Sequence, residues 1–403
     1  MNGCVPLLED LGDVRGKRVV VRLDLNVPIE ERDGKLVVAD DFRIRAALPT
    51  LTWLLNRGAK VTVLTHLGRP GGRPDPALDL APVRECLEEL VPGVAMSENL
   101  RFSPGEEAND PEFVKKLIKG QDCYVNDAFG VSHRAHASIV GPPAFLPSAA
   151  GRLLAREIDV LTMLLEAPNR PFVVVVGGVK VKDKIGVLRA LARKADALIV
   201  GGGMAYTFLE ALGRETGDSI VDRSKLAECE ELLRSESHLL LPVDNRALAP
   251  GYKLSTEQDP SISVEGLPAS RAVAETAVVG LDVPAGWRGL DIGPATEVLF
   301  SQVIASAKTV LWNGPMGVFE DERFSSGTRA IAEAVASCPG CTVVGGGDSA
   351  SALAHLGLSD SIDHMSTGGG ASLALLEHGD LPGLAALRAA PNAPCAGGPG
   401  TGG

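Results

Sequence analysis

The stretch Thr342-Val343-Val344-Gly345-Gly346-Gly347-Asp348-Ser349 decides the fold that we expect for this chain. Its apolar, β-branched start predicts a buried strand, and the three glycines that follow let the backbone approach a ligand closely. Residues 349–354 can then open a helix whose first N–H groups point at an anion. Asp348 offers a carboxylate to a hard cation such as Mg²⁺. A simple strand-to-helix turn capped by Asp348 explains the same residues equally well.

The same pattern recurs along the chain, where apolar runs end in polar or glycine-rich clusters and segments of helical periodicity separate them. This alternation predicts parallel sheets with helices on both faces, and ligands bind beyond the carboxyl ends of such strands. We therefore predict an α/β fold of two doubly wound, Rossmann-like domains whose parallel sheets face each other across a cleft. The expected strands are residues 17–28, 60–65, 123–125, 171–176, 197–200, 239–243, 289–292, 309–312 and 342–344, with a short one near Val94.

The domain limits follow from the length of the chain and from one helix. At 403 residues the chain is too long for a single core. Residues 151–165 have the spacing of an amphipathic helix, and Pro168 and Pro171 end it. We expect an N-terminal domain in residues 1–150, a connecting helix and hinge in 151–168, and a second domain in 169–380. Residues 381–403 are expected to form a C-terminal segment whose tail, from Ala389, is disordered.

The composition limits the kinds of partner. A net charge of −12 argues against broad binding to nucleic acids or membrane surfaces, which requires a basic face. No apolar run reaches the roughly 20 residues of a membrane span, and the N-terminus lacks the pattern of a signal peptide. We predict a cytoplasmic protein that is a monomer and binds small molecules.

Cysteine usage gives little information about chemistry. Seven scattered cysteines do not make a disulfide framework. Cys338 and Cys341 have the C-x-x-C spacing of a redox pair, but a turn between a helix and a strand is the favoured interpretation.

The predicted clusters of the first half are rich in arginine and histidine. In an acidic chain, arginines placed repeatedly near strand ends favour an anionic ligand, because planar guanidinium groups bind phosphate and carboxylate in pairs of hydrogen bonds. One such arginine alone would more often form a surface ion pair. The residues concerned are Arg22, Arg43, Arg69, Arg101 and Arg134, with His66 and His133 beside them.

The second half instead combines glycine loops with Lys180, Lys184, Glu320 and Asp348. This set is typical of a nucleotide site, in which amides and lysines bind phosphates, Asp348 binds the metal and Glu320 accepts from a ribose hydroxyl. The chain lacks the G-x-x-x-x-G-K-[ST] loop of P-loop enzymes and the aspartate base of protein kinases.

The missing base indicates the kind of acceptor. A hydroxyl acceptor needs help to lose its proton, whereas a carboxylate with a pKa of about 4 is ionised at neutral pH. Positioning and charge neutralisation then make up most of the catalytic task. The residues therefore fit phosphoryl transfer between a nucleotide and a carboxylate.

These clusters resemble the phosphoglycerate kinase family, in order, from about Leu11 to Leu387. Ten or so independent motifs make a chance resemblance negligible, although Leu25 and Ser349 stand where phenylalanine and threonine are common. The matching stretches are residues 21–28, 43–50, 66–70, 98–102, 126–130, 133–136, 177–185, 201–204, 311–320, 345–349 and 366–372.

The resemblance implies reversible, Mg²⁺-dependent phosphoryl transfer from 1,3-bisphosphoglycerate to ADP, which gives 3-phosphoglycerate and ATP. It also implies that the N-terminal domain binds phosphoglycerate, the second domain binds nucleotide, and a hinge closes them. The catalytic residues implied are Arg43, Lys180, Lys184, Gly346 and Gly369. The substrate-binding residues are Arg22, Asp24, Leu25, Asn26, Arg43, His66, Leu67, Gly68, Arg69, Arg101 and Arg134. The nucleotide-binding residues are Gly178, Lys180, Lys184, Gly202, Gly203, Gly293, Asn313, Gly314, Pro315, Gly317, Val318, Glu320, Gly346, Gly347, Asp348 and Ser349, with Asp348 on the metal.

Three other functions remain open at this point. Another carboxylate kinase would use the same arginine cluster. A nucleotide-dependent dehydrogenase could be built on Gly345-x-Gly347-x-x-Ala350, a weak match to the dinucleotide fingerprint. A nucleotide-binding protein without activity is the third, but the presence of Arg43, Lys184 and Asp348 argues against it.

Overall fold

A computed structural model describes residues 4–254 and 275–393 of the chain. Its strands are β1 (Arg18–Leu23), β2 (Ile29–Arg32), β3 (Lys35–Val38), β4 (Lys60–Leu64), β5 (Ala95–Met96), β6 (Cys123–Asp127), β7 (Ser148–Ala150), β8 (Phe172–Val176), β9 (Ala197–Val200), β10 (Leu239–Leu240), β11 (Asn245–Leu248), β12 (Thr276–Val279), β13 (Arg288–Ile292), β14 (Thr309–Asn313), β15 (Cys341–Gly345) and β16 (His364–Met365). Its helices are α1 (Phe42–Asn56), α2 (Ala81–Leu90), α3 (Pro104–Glu107), α4 (Pro111–Ile118), α5 (Ala137–Val140), α6 (Arg152–Glu166), α7 (Ile185–Ala192), α8 (Ala205–Ala211), α9 (Leu226–Ser235), α10 (Pro294–Ala305), α11 (Ser326–Ala336), α12 (Gly347–His355), α13 (Gly369–His378) and α14 (Pro382–Arg388). Short 3-10 helices connect several of them.

These elements form two compact units. The described residues up to Thr162 join those from Gly370 onward in unit 1, and those from Met163 to Gly369 form unit 2. The chain therefore passes into unit 2 within α6. The C-terminal residues belong to unit 1 because α14 packs against α5, and the Gly383 N–H donates to the Ser132 carbonyl at 2.9 Å. This division differs from the expected limits, which gave residues 370–380 to the second domain.

In unit 1, the described strands of the main sheet lie in the order β5-β4-β1-β6-β7, and each neighbouring pair is parallel. Val21 of β1 pairs with Val63 on one side and Val125 on the other, and all three are fully buried. Numbered along the chain, the parallel strands have the order 3-2-1-4-5, so the order reverses between β1 and β6. This reversal is the place where doubly wound sheets bind ligands.

Unit 2 repeats the arrangement in its described residues, with the strand order β10-β9-β8-β14-β15-β16 and only parallel pairs. The order reverses between β8 and β14. All five residues of β8 (Phe172–Val176) are buried, as expected for a strand covered on both faces. The prediction of parallel α/β sheets in two domains is thus confirmed, whereas an arrangement of the sheets across a cleft stays a prediction.

One predicted strand belongs to a different sheet. Residues 289–292 lie in β13, which pairs antiparallel with β11, and β11 pairs antiparallel with β12. The expectation that this strand joins the parallel series is therefore wrong. A short apolar run predicts a strand but not its partner, and β13 is only partly buried, as strands of antiparallel sheets often are. The β2–β3 hairpin, also antiparallel, was not predicted either.

The remaining strands and the helix expected at 151–165 are confirmed, with ends that shift by a few residues. The C-x-x-C segment is a turn, since α11 ends at Ala336 and β15 begins at Cys341; both cysteines are in the thiol form. The first residues of the tail are ordered, contrary to expectation, because Asn392 hydrogen-bonds the backbone of Ser148 in both directions at 2.7 and 3.1 Å. The rest of the predicted tail, residues 394–403, lies outside the described residues.

Candidate functional sites in the two units

The predicted basic residues of unit 1 gather beyond the carboxyl ends of β1, β4 and β6. We call Asp24, Arg43, His66, Arg101 and Arg134 the anion cluster. Asp24 follows β1, His66 follows β4, and Arg134 comes after the 3-10 helix that follows β6. Arg43 is an exception to the expected strand-end position, because it lies in the first turn of α1. Only the tertiary structure brings it to the other basic groups.

Arg43 and Asp24 form an ion pair in the anion cluster, and its arginine is partly accessible. The Arg43 guanidinium donates to Asp24 Oδ2 at 2.6 Å. The Arg43 side chain is 32% exposed, whereas that of Asp24 is 8% exposed. The more buried Asp24 therefore fixes the position of the Arg43 guanidinium, while some of the N–H groups of Arg43 face solvent.

His66 lies deeper, beside the fully buried Arg22. Arg22 donates to His66 Nδ1 at 3.1 Å, and both residues are at most 2% exposed. Burial lowers the pKa of His66 well below its usual value, and the charges of Arg22, Arg101 and Arg43 lower it further. The imidazole is therefore neutral at physiological pH. Arg22, predicted as a substrate contact, faces the protein interior.

Arg101 and the residues of the loop after β4 complete this site. Arg101 donates to the Gly68 carbonyl at 2.7 Å. Burial lowers the pKa of Arg101, and Arg134, Arg22 and Arg69 lower it as well, although nearby Glu107 opposes them. The arginines whose charges lower the pKa of Arg101 lie close to it, and an anion bound among these guanidinium groups would relieve their repulsion.

The other predicted contact residues of unit 1 are joined by hydrogen bonds in which one partner is a backbone group. The Gly68 N–H donates to Asn26 Oδ1 at 2.8 Å, and the Leu25 N–H donates to Thr65 Oγ1 at 3.1 Å. The Leu67 carbonyl accepts from Asn99 at 2.8 Å. These bonds tie the loops after β1 and β4 together. The Leu25 side chain is fully buried, so its replacement of phenylalanine affects packing.

Two residues that sequence reasoning missed lie beneath the anion cluster. Glu106 and Ser138 are fully buried, and the Ser138 hydroxyl donates to Glu106 Oε1 at 2.6 Å. The same hydroxyl accepts from Arg22 Nε at 2.8 Å. Glu106 stands in a polar segment of the kind that is typical of a surface, so its burial had no local signal.

In unit 2, Lys184 occupies the reversal between β8 and β14. Its Nζ donates to the carbonyls of Gly177 at 2.7 Å and Asn313 at 3.2 Å, which follow β8 and end β14. Burial lowers the pKa of Lys184 to about 8, and the nearby carboxylates Asp348 and Asp183 partly oppose this effect. Lys180, by contrast, is exposed just before the adjoining 3-10 helix.

The glycine loops around Lys184 pack backbone against backbone. The Gly177 N–H donates to the Asn313 carbonyl at 3.0 Å, and the Gly178 N–H to the Pro315 carbonyl at 2.8 Å. Gly202 has φ +68°, and a Cβ there would lie 2.6 Å from Gly178 N. No side chain fits at this contact, so the backbone itself lines the site.

The stretch that opened the sequence analysis forms the strand, turn and helix that it predicts. Gly346, with φ +95°, turns the chain from β15 into α12, and the Ser349 hydroxyl accepts from the Gly314 N–H at 2.6 Å. Asp348 is exposed in the first turn of α12. Gly369 is packed so closely that a Cβ there would lie 3.0 Å from Gly346 Cα.

These positions fit a magnesium nucleotide. Mg²⁺ in nucleotide sites is typically bound by one or two carboxylates together with substrate phosphates. Among the described residues there is no group of three or more His, Cys, Asp or Glu side chains that could hold a metal alone. Asp348, which is exposed and close to Lys184, therefore fits a site in which Mg²⁺ is held jointly by one carboxylate and the phosphates of the nucleotide.

The remaining predicted nucleotide contacts lie around the loop after β14. The Gly293 N–H donates to the Asp244 carbonyl at 2.9 Å, and the Val318 N–H to the Leu290 carbonyl at 3.0 Å. Glu320 is exposed at the end of this loop. Asp291, which sequence reasoning missed, is buried against Gly317; burial raises its pKa to about 8.

No helix in the described parts of the chain is both long and apolar enough to cross a membrane.

Comparisons with known proteins point to one family. The family model described as phosphoglycerate kinase matches residues 8–97 and 92–379 of the chain. A phosphoglycerate kinase of Roseiflexus sp. (strain RS-1) is 47% identical over 402 residues, covering 93% of this chain and 97% of that protein. One from Parafrankia sp. (strain EAN1pec) is 48% identical over 415 residues, covering 94% and 99%.

Solved structures agree with the sequence relatives. Phosphoglycerate kinase from Coxiella burnetii superposes with a TM-score of 0.81 at 37% identity, covering 96% of this chain and all of that one. The enzyme from Pyrococcus horikoshii OT3 superposes with a TM-score of 0.79 at 31% identity, covering 95% and 98%.

Proposed function

The chain belongs to the phosphoglycerate kinase family, and from that premise we propose how its two units divide the reaction. The protein is a phosphotransferase with a carboxyl group as acceptor, and it transfers a phosphoryl group reversibly from 1,3-bisphosphoglycerate to ADP. The family favours this function over another carboxylate kinase or a dehydrogenase. Which residues act, and whether Mg²⁺ takes part, belong to the proposal.

Unit 1 binds the phosphoglycerate. The observation that carries this assignment is the anion cluster, in which Arg43 is held by Asp24 at 2.6 Å while still partly exposed. Arg134 and Arg69 lie near enough to Arg101 for their charges to lower its pKa, so an anionic substrate would relieve the repulsion. His66 adds a neutral donor to this site.

Unit 2 binds the nucleotide. Backbone amides of the glycine loops and Lys184 bind the phosphates, and Glu320 accepts from the ribose. Asp348 would hold Mg²⁺, which when bound neutralises charge on the phosphates. The position of Asp348 in the first turn of α12, with the helix N–H groups beside it, supports this role.

Transfer needs no general base, since the acceptor carboxylate is already ionised. Arg43 approaches the transferring group from the acceptor side, and Lys180, Lys184 and the amides at Gly346 and Gly369 stabilise its charge from the nucleotide side. Because an acyl phosphate is hydrolysed easily, closure of the units about α6 would exclude water. The passage of the chain between units within α6 supports this place for the hinge.

We further propose that the protein acts as a cytoplasmic monomer. The acidic composition and the lack of any long apolar run in the sequence support this setting. Size-exclusion chromatography with light scattering would report one chain of 42.0 kDa, and a mass of twice that value would contradict it.

The experiment that tests the assignment is ATP-dependent turnover of 3-phosphoglycerate, with and without Mg²⁺. We expect turnover only with the metal. Asp348→Ala should weaken Mg-ATP binding about tenfold, equal to about 1.4 kcal/mol, because a charged metal ligand is lost. Calorimetric titration with 3-phosphoglycerate should be unchanged.

The matched control is Asp360→Ala, which removes another exposed carboxylate of unit 2, in the 3-10 helix Ser359–Ser361. It should bind Mg-ATP normally. Equal losses in the two variants would mean that Asp348 contributes only general negative charge, and the metal assignment would then be wrong.

A further inference from the structure

The fully buried guanidinium of Arg22 is a feature that substrate binding does not explain. The residue is 1% exposed, so its charge is removed from water and needs compensation within the protein. Two of its nitrogens donate to different partners and so join them in one hydrogen-bond network. Nε donates to Ser138 Oγ at 2.8 Å, and a terminal nitrogen donates to His66 Nδ1 at 3.1 Å.

At one end of this hydrogen-bond network lies the carboxylate of Glu106. Ser138 has one hydroxyl proton, and it is donated to Glu106 Oε1 at 2.6 Å, which leaves the oxygen lone pairs to accept from Arg22. Glu106 Oε2 also accepts from the Ser138 backbone N–H at 3.0 Å. Tyr124 fixes the same segment by donating to the Ser138 carbonyl at 2.8 Å. Glu106 thus balances the charge of Arg22 through a bridging hydroxyl.

At the other end of the network, the contact with Arg22 determines which ring nitrogen of His66 carries the proton. An arginine side chain only donates, so the Nδ1 that faces it must present a lone pair. The ring proton is then on Nε2. We propose that Glu106, Ser138 and Arg22 form a buried positioning relay that fixes His66 in its Nε2–H tautomer.

This arrangement has a consequence for the anion cluster. With its proton on Nε2, His66 can donate one directed hydrogen bond to an anionic oxygen without adding a further positive charge to the arginines. The reverse tautomer would offer that oxygen a lone pair and weaken its binding. This step rests on the proposed function, because it takes the anion to be phosphoglycerate; the relay itself does not.

The test is ¹⁵N NMR of the full-length protein labelled at its seven histidines, with His66 assigned by its missing signals in His66→Asn. At pH 7 we expect a pyridine-type Nδ1 and a pyrrole-type Nε2. A wild-type His66 that is protonated on Nδ1 would overturn the proposal, whatever the variants do.

Two variants of the bridging residue then test the relay. Ser138→Ala removes the hydroxyl, and we expect mixed tautomers of His66 and a KM for 3-phosphoglycerate about tenfold higher, with the KM for ATP unchanged. Ser138→Thr keeps a hydroxyl and should keep the single tautomer. Ser306→Ala, at an exposed serine of unit 2, is the control for serine removal in general.

The outcomes separate the relay from the proposed function. An unchanged tautomer and unchanged KM in Ser138→Ala would overturn the relay. Mixed tautomers with an unchanged KM for 3-phosphoglycerate would uphold the relay and contradict the place of His66 in the substrate site. Thermal unfolding and ATP titration of each variant show that the chain is folded when these readouts are taken.

Discussion

The two candidate sites occupy the same position in sheets of related strand order, yet they are made from different parts of the chain. In unit 1 the reversal between β1 and β6 is surrounded by side chains, chiefly arginines around Asp24 and His66. In unit 2 the reversal between β8 and β14 is lined by backbone, with Lys184 bound to two carbonyls.

The difference shows two ways to bind an anion. Side chains reach a small, highly charged ligand from several directions, but each needs a partner that holds it, as Asp24 holds Arg43. Backbone amides follow the turns of a loop and need no such partner, but they require that nothing project from the backbone. Substitutions should therefore act differently in the two units.

The largest effect is expected in unit 1. Arg43→Ala should lower turnover about 10³-fold, equal to about 4 kcal/mol, because it removes positive charge beside the transferring group. ATP binding should stay within about twofold, since unit 2 is untouched. Steady-state kinetics and ATP titration measure both quantities.

A neighbouring arginine of the same helix provides the control for Arg43. Arg45 pairs with Asp41 at 2.8 Å on the exposed face of α1. Arg45→Ala should leave turnover nearly unchanged. Near-normal turnover of Arg43→Ala would refute the role of Arg43 and, with it, the contrast between the two sites.

Unit 2 should respond to the addition of a single methyl group. Gly202→Ala combines an unfavourable φ with a Cβ 2.6 Å from Gly178 N, so we expect a loss of about 3 kcal/mol or more in the free energy of unfolding. Urea denaturation followed in unit 2 measures it, and ATP affinity should fall in parallel because the loops are displaced.

The matched control for Gly202 is Gly213, which has φ +76° but no heavy atom of the described residues within 4 Å of the position that a Cβ would take. Gly213→Ala should lower the free energy of unfolding only by the cost of a positive φ for alanine, about 1–2 kcal/mol. If the two variants lost equal stability, close packing of the glycine loops would not matter.

The smallest expected effect concerns Lys184, the lysine of unit 2 that donates to two backbone carbonyls. Burial lowers the pKa of Lys184 to about 8, so the side chain is charged below that pH and neutral above it. Phosphates bind the charged form; ATP affinity should thus start to fall as the pH rises toward 8 and decrease about fourfold between pH 7 and 8.5. Lys184→Arg should flatten this decline, because an arginine keeps its charge.

The exposed neighbour Lys182 gives the comparison for this pH profile. Lys182→Arg should show the same decline as the wild type in calorimetric titrations with ATP. A wild-type affinity that does not change between pH 7 and 8.5 would show that Lys184 keeps its proton in the free protein.

Much of each site was predictable from residue types. His66 of unit 1 and the glycine loops of unit 2 stand directly after predicted strands, and the structure places them at the ends of those strands. Arg43 was predicted as a ligand but not where it lies, because a position in the first turn of a helix carries no sign of which strand it approaches. Glu106 was not predicted, because a glutamate in a polar segment gives no local indication of burial.

The sequence by itself determined the alternation of strands and helices and the kinds of chemical group at the strand ends, because apolar periodicity and side-chain type are local properties. The tertiary structure alone decided which strands are neighbours, that β13 joins an antiparallel sheet, and that Arg22 meets Ser138 across 116 residues of chain. Such contacts depend on how distant segments pack, and buried polar groups find their partners only when that packing is complete.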